Sequence, residues 1–255
     1  MIKIWAIAQN TFREAVRDRI LHSIIFFAVG MILLSIVLKE VTIGEQDKVV
    51  RSIAQSSIDI FASIMAMFLG ISAIGKELEN KTIYTLLSKP ISRAHFLLGK
   101  YFGIILTILA EVILLSTFYT LIIGIEQGFP KPIFFTSLIL VMVEMMLITA
   151  CTVLCASYSS RTTASAFILA IFVIGHLADD IWLFSSEAQT PMIRQLGQTL
   201  YYLLPNFEAL SIRTQSIHNE PIPLMEILYS VGYGISYTTV VLLCAISLFR
   251  RRDIQ

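Results

Sequence analysis

Long apolar runs divide this chain into segments. Continuous apolar stretches cover residues 20–38, 58–74, 101–123, 133–158, 163–184 and 227–249. Each approaches the roughly 20 residues that a helix needs to cross about 30 Å of hydrocarbon, tilt included. Barrel strands would alternate apolar and polar positions, and these runs do not, so the pattern predicts an all-α membrane protein with six transmembrane helices. Ahead of the first run, Ile4, Trp5, Ala8, Phe12, Ala15 and Val16 recur at helical spacing, with Lys3, Asn10, Arg13, Glu14 and Arg17 on the other side. This predicts an N-terminal amphipathic helix over residues 1–19, lying along the membrane interface with Trp5 and Phe12 turned inward. The first run follows a long charged lead with no small-residue cleavage site and reads as an uncleaved span, not a signal peptide.

Two connections stand out. Residues 75–100, GKELENKTIYTLLSKPISRAHFLLGK, carry seven formal charges and cannot sit in hydrocarbon. Between the fifth and sixth runs, residues 185–225 form the longest connection, and it is too apolar for a free loop. Leu196, Leu200, Leu203, Leu204, Phe207 and Leu210 cluster around Pro205, which predicts short re-entrant helices in the outer leaflet, broken apart at the proline. The whole of 1–255 reads as a single membrane domain.

Composition agrees with that reading and narrows the function. Hydrophobic residues make up 56% of the chain and charged ones 15%, against about 25% charged in a soluble domain; mean hydropathy is +0.78. A net charge of +1 supplies no strong basic patch for nucleic acid. Cys151, Cys155 and Cys244 all fall inside apolar runs, which argues against a disulfide framework. With the N-terminus inside, thirteen Lys and Arg fall in inner pieces and six in outer ones, placing both termini on the cytoplasmic side.

Candidate chemistry is sparse. Gly70, Gly75 and Lys76 begin a phosphate-loop pattern, but Glu77 stands where Ser or Thr must hold Mg²⁺, so nucleotide binding is not expected here. His176, Asp179 and Asp180 share a helix face at i, i+3 and i+4, a metal-ligand spacing, yet a solvated lip or a polar helix contact at the outer end of span five is preferred. Glu111 and Glu144 lie deeper, where ionisable groups face a bundle interior or a water-filled path. These five residues are the candidates for a translocation pathway or dimer seam. Met65, Met67, Met142, Met145, Met146, Cys151 and Cys155 are soft donors of the kind Cu(I) takes, but packing is the preferred reading and no metal or other cofactor is expected. Gly99 and Gly103 would permit close helix approach. His22, His95, His176 and His218 are scattered without a nucleophile–base pair, so the chain is not expected to be an enzyme. A haem-binding membrane anchor, the alternative, needs facing axial ligands that these positions supply poorly.

The stretch from Gly75 onward also resembles the inner loop of type-2 ABC exporter permeases, especially the branch associated with copper-enzyme maturation. The likeness runs through Glu77 and Glu79, then Thr82, Leu86 and Leu87, then Lys89-Pro90 with Arg93, then Gly99-Lys100; FREAVRDRIL (12–21) and LLPNFEAL (203–210) are further landmarks. The resemblance implies a permease in a bacterial or archaeal cytoplasmic membrane, paired with a second permease chain as a homodimer and driven by two cytoplasmic ATPase subunits. It implies that a coupling helix between spans two and three meets the ATPase through Glu77, Glu79, Lys81, Thr82, Ile83, Leu86, Leu87 and Arg93. It also implies that the amphipathic helix makes a second cytoplasmic contact.

Overall fold

The computed structural model describes residues 2–42, 44–79, 92–126, 129–188, 190–218 and 220–251, with the backbone alone for residues 2, 78, 79, 125 and 126. Among these residues the fold is all-helical: α1 Ile2–Val16, α2 Arg19–Val41, α3 Gln46–Glu79, α4 Arg93–Glu126, α5 Pro132–Tyr158, α6 Arg161–His176, α7 Ala178–Glu187, α8 Pro191–Leu203, a 3-10 turn Glu208–Leu210, α9 Arg213–His218 and α10 Leu224–Arg251. Helices α2, α3, α4, α5 and α10 are each long and apolar enough to cross a membrane, and the bent pair α6–α7 makes the sixth candidate span.

Local chemistry sets where several of these helices begin. Asp18 has extended backbone and its side chain accepts from Ile20 N at 3.0 Å, starting α2. Pro132 occupies the first turn of α5, where its missing N–H removes nothing. Ser160 caps α6 by accepting from Thr163 N at 3.3 Å. Helix α5 is central: 72% of its most apolar stretch is buried inside the bundle, against 28% for α2 and 22% for α10. It packs against α10, α3, α4 and α6, while α2 lies on α3 and α1 on α4.

Helix α1 seats on α4 through the small-residue pair in that helix. A Cβ at Gly99 would fall 2.6 Å from Ile7 Cβ, and one at Gly103 would fall 2.7 Å from the Ala8 carbonyl oxygen. The backbones therefore touch, as glycines four apart allow. Ala8, Thr11 and Ala15 are buried against the bundle, Phe12 is half-buried, and Trp5, 56% exposed, lies on the face not covered by protein.

The fifth run differs from a single helix over 163–184. It breaks at Leu177 and bends by 62°. No proline causes this. The Gly175 carbonyl, which an unbroken helix would bond to Asp179 N, accepts instead from Phe207 N at 3.0 Å. A backbone donor from 32 residues away has entered the ladder, one of the recognised ways to kink a helix. Gly175 leaves the room, since a Cβ there would lie 2.5 Å from the Phe207 ring.

Candidate functional site

At one end of the bundle the helices flanking residues 80–91 are tied to their neighbours by charge. Lys100 on α4 is 2% exposed, and its Nζ donates to Glu77 Oε1 on α3 at 3.2 Å. It also lies 3.7 Å from Glu14 Oε2 on α1 and over the Phe96 ring at 5.9 Å from its centroid. An ammonium so buried needs such partners, since the desolvation it suffers must be offset. Lys76 and Asp18 add a looser pair at 3.6 Å, with the lysine side chain 44% exposed, a contact of small energetic value. On the far side of residues 80–91, Arg93 Nη1 donates to the Phe249 and Arg250 carbonyls at 3.1 and 3.2 Å. Those carbonyls lie in the last described turn of α10. The Phe96 and Phe249 rings stack beside them, 6.1 Å apart.

The expected ATPase-contact residues therefore fall into three groups. Glu77 and Arg93 hold the segment's two ends to α1, α4 and α10. Glu79 is described by its backbone alone, as the last residue of α3. Lys81, Thr82, Ile83, Leu86 and Leu87 lie outside the described residues.

A second polar cluster sits inside the bundle, toward the opposite end. Glu144 on α5 is 1% exposed, and its Oε1 lies 3.1 Å from His176 Nε2. His176 Nδ1 is 3.0 Å from the Phe172 carbonyl, and the ring sits between Phe172 and Phe207 at 4.4 and 5.2 Å. Next to this pair, Asp59 Oδ2 on α3 is 3.9 Å from Arg213 Nη1, while Asp59 Oδ1 has no hydrogen-bond partner among the described residues. A pocket of about 10 Å³, about one probe sphere and so barely room for a water, is lined by Asp59, Glu144 and Arg213 together with Gln55 and Ser137.

The break at Leu177 separates the three residues expected on one face. His176 ends α6 and turns to Glu144. Asp179 opens α7, where a carboxylate suits the helix N-terminus, and its Oδ1 accepts from Asn206 Nδ2 at 2.8 Å. Asp180 borders an apolar groove between α7 and α8. Glu111 lies apart from this cluster, 2% exposed, with neither carboxylate oxygen hydrogen-bonded among the described residues. Among the described residues no group of three His, Cys, Asp or Glu side chains is placed to hold a metal. Asp59 and Arg213 were not singled out from the sequence. An acid one residue into the second apolar run, and a base just past the apolar cluster at Pro205, were the available signals.

The 203–210 stretch is held from both sides. Asn206 N donates to Tyr233 Oη at 2.9 Å, Tyr237 Oη donates to the Leu203 carbonyl at 2.9 Å, and Ser230 Oγ donates to the Ala209 carbonyl at 2.9 Å. Asn206 Oδ1 accepts from Ala209 N at 3.0 Å, and Phe207 and Leu210 are fully buried.

A central apolar helix, four further candidate spans, a bent pair and ionisable groups buried between them define a multi-pass helical membrane protein. The profile of the family described as ABC-2 family transporter protein matches residues 5–254, nearly the whole chain. The chain belongs to that family and is a membrane permease component of an ABC transporter. No curated protein matches the sequence.

Proposed function

We propose that the chain is the membrane half of an ATP-driven exporter, moved by two copies of a separate cytoplasmic ATPase and paired with a second copy of itself. The family normally works with such an ATPase. One observation carries the local reading: both ends of the 80–91 segment are anchored, by Glu77–Lys100–Glu14 on one side and Arg93 on the α10 carbonyls on the other. A segment fixed at both ends passes a push to α1, α3, α4 and α10 together, as rigid-body switching requires. The contact itself runs through Glu79, Lys81, Thr82, Ile83, Leu86 and Leu87, an apolar anchor with a polar rim. Glu77 and Arg93 belong to the same site by holding its ends. The excess of Lys and Arg on the pieces that include this segment puts it, with both termini, on the inner side of a bacterial or archaeal cytoplasmic membrane. Glu111, Glu144, His176, Asp179 and Asp180 remain the pathway candidates, joined by Asp59 and Arg213.

The test is co-purification from native membranes. The tagged chain should bring down an ABC ATPase, L86D/L87D should lose it, and E79K should weaken it. ATP hydrolysis by the purified chain alone, or full retention of the ATPase by L86D/L87D, would overturn the reading. A haem-anchoring role gains no support from His176, whose Nδ1 is bonded to the Phe172 carbonyl and whose Nε2 faces the Glu144 carboxylate at 3.1 Å.

A further inference from the structure

The end of the bundle away from residues 79 and 93 holds a cavity of about 160 Å³ among α3, α4, α5 and α9, lined by Asp47, Arg51, Gln55, Tyr119, Lys131 and Ser216. Gln55 lies roughly 28 Å along α3 from Ile74, so the cavity opens near the far membrane interface. Its volume equals about five water molecules of liquid.

Four of the polar groups facing it can donate, namely Tyr119, Ser216, Arg51 and Lys131, and Asp47 is the carboxylate among them. Tyr119 is 2% exposed, with its ring 4.9 Å from that of Phe134, and its hydroxyl has no hydrogen-bond partner among the described residues. Ser216 is 4% exposed, and its hydroxyl is likewise unpartnered among the described residues. Arg51 lines the same cavity as Tyr119. Neither Arg51 nor Lys131 is ion-paired among the described residues, whereas Asp47, the acid in the lining, has an interaction of its own. Both hydroxyl oxygens stay open to the cavity, where an oxyanion can accept from them. The floor is closed: Gln55 Nε2 donates to Ser137 Oγ at 2.7 Å, and Ser137 Oγ donates to the Phe134 carbonyl at 2.7 Å. Below that floor lie the carboxylates of Asp59 and Glu144, which would repel an anion seated above.

We propose that this cavity binds a phosphate-sized oxyanion, which accepts from the Tyr119 and Ser216 hydroxyls and is paired with Arg51 and Lys131. A guanidinium fork and an ammonium are the side chains suited to such a group. A cationic guest would meet two like charges. The oxyanion is either free phosphate or the phosphodiester of a lipid headgroup, and two arms distinguish them.

Detergent-purified, delipidated full-length protein is titrated with inorganic phosphate by calorimetry. The same protein is titrated with phosphatidylglycerol and read by native mass spectrometry. Saturable binding in either arm supports the proposal and names the source. R51Q/K131Q should weaken binding about tenfold or more, and Y119F roughly three- to tenfold, the loss expected for charge-assisted and neutral hydrogen bonds. Y119F removes one oxygen atom and serves if the double variant fails to fold. Saturable binding in neither arm overturns the proposal, and so does undiminished binding by a folded R51Q/K131Q or by Y119F.

Discussion

Replacing Lys100 by Met keeps an unbranched stem against Phe96 and removes the ammonium that joins α4 to α3 and α1. The two carboxylates should not contribute equally. Glu77 accepts a hydrogen bond at 3.2 Å and its side chain is 20% exposed; Glu14 is 3.7 Å away with its side chain 51% exposed. A charge-assisted hydrogen bond contributes about 1.5–3 kcal/mol, and a fifth of exposure places the Lys100–Glu77 term near ~2 kcal/mol. The Glu14 contact, long and half in water, is screened to about 0.5 kcal/mol or less. Burial of the ammonium costs enough that the single K100M variant loses less than the sum of these terms. The interaction energies from double-mutant cycles are therefore the quantities to measure. K100M, E77Q, E14Q and the two doubles are unfolded thermally in micelles, followed by the fluorescence of Trp5 and Trp182 at several scan rates. The K100M/E77Q cycle should show an interaction of roughly 4–8 °C in Tm, at about 2–4 °C per kcal/mol for a chain of this size, and the K100M/E14Q cycle roughly 2 °C or less. An interaction with Glu14 as large as that with Glu77, or none with either, would refute the reasoning.

Other perturbations test the interior. E111L should leave Tm unchanged or raise it by up to about 6 °C, because it deletes a buried carboxyl with no hydrogen bond among the described residues; a marked fall in the same melt would show that Glu111 has a partner. G175L should cost about 1–3 kcal/mol by driving Phe207 off its seat, while the smaller partner in G175L/F207A should restore part of that loss. R213Q removes a 3.9 Å contact whose arginine side chain is 41% exposed and should lower Tm by no more than about 2–4 °C, with R213Q/D59N recovering most of that loss. N206A removes the bond to Asp179 and the bond to Ala209 N, at a cost of about 2–3 kcal/mol in the same melts.

The spans were legible because hydrocarbon demands continuous apolar helices, and no tertiary contact can override that demand. The seat of α1 was half legible. Gly99 and Gly103 announced a close approach, but not that α1 was the partner. The break at Leu177 was not legible from residues 163–184, which contain no proline. Its cause is a backbone N–H from Phe207, and the local signal was one glycine. The same long-range event dissolved the His176–Asp179–Asp180 face: spacing on a straight helix was the premise, and the helix is not straight. Asp59 went unnoticed for the complementary reason, since its partner Arg213 is 154 positions away and is brought there by the docking of Phe207 and Leu210.

Helix α10 joins the two ends of the molecule. At one end its last described carbonyls accept from Arg93, and about 19–29 Å along its axis Tyr237, Tyr233 and Ser230 hold the 203–210 stretch. That stretch in turn fixes the bend of α6–α7 through Phe207 N and Asn206 Nδ2. Displacement of Arg93 would thus reach Gly175 and Asp179 through one helix and the hydrogen bonds at its two ends, without needing α5 to move. R93Q and Y233F/Y237F cut this linkage at opposite ends. If α10 acts as the connecting rod, each should lower ATP-driven transport in proteoliposomes while leaving the ATPase bound, and combining them should lower it little further. Fully additive losses would mean that the two ends work independently and that α10 only packs between them.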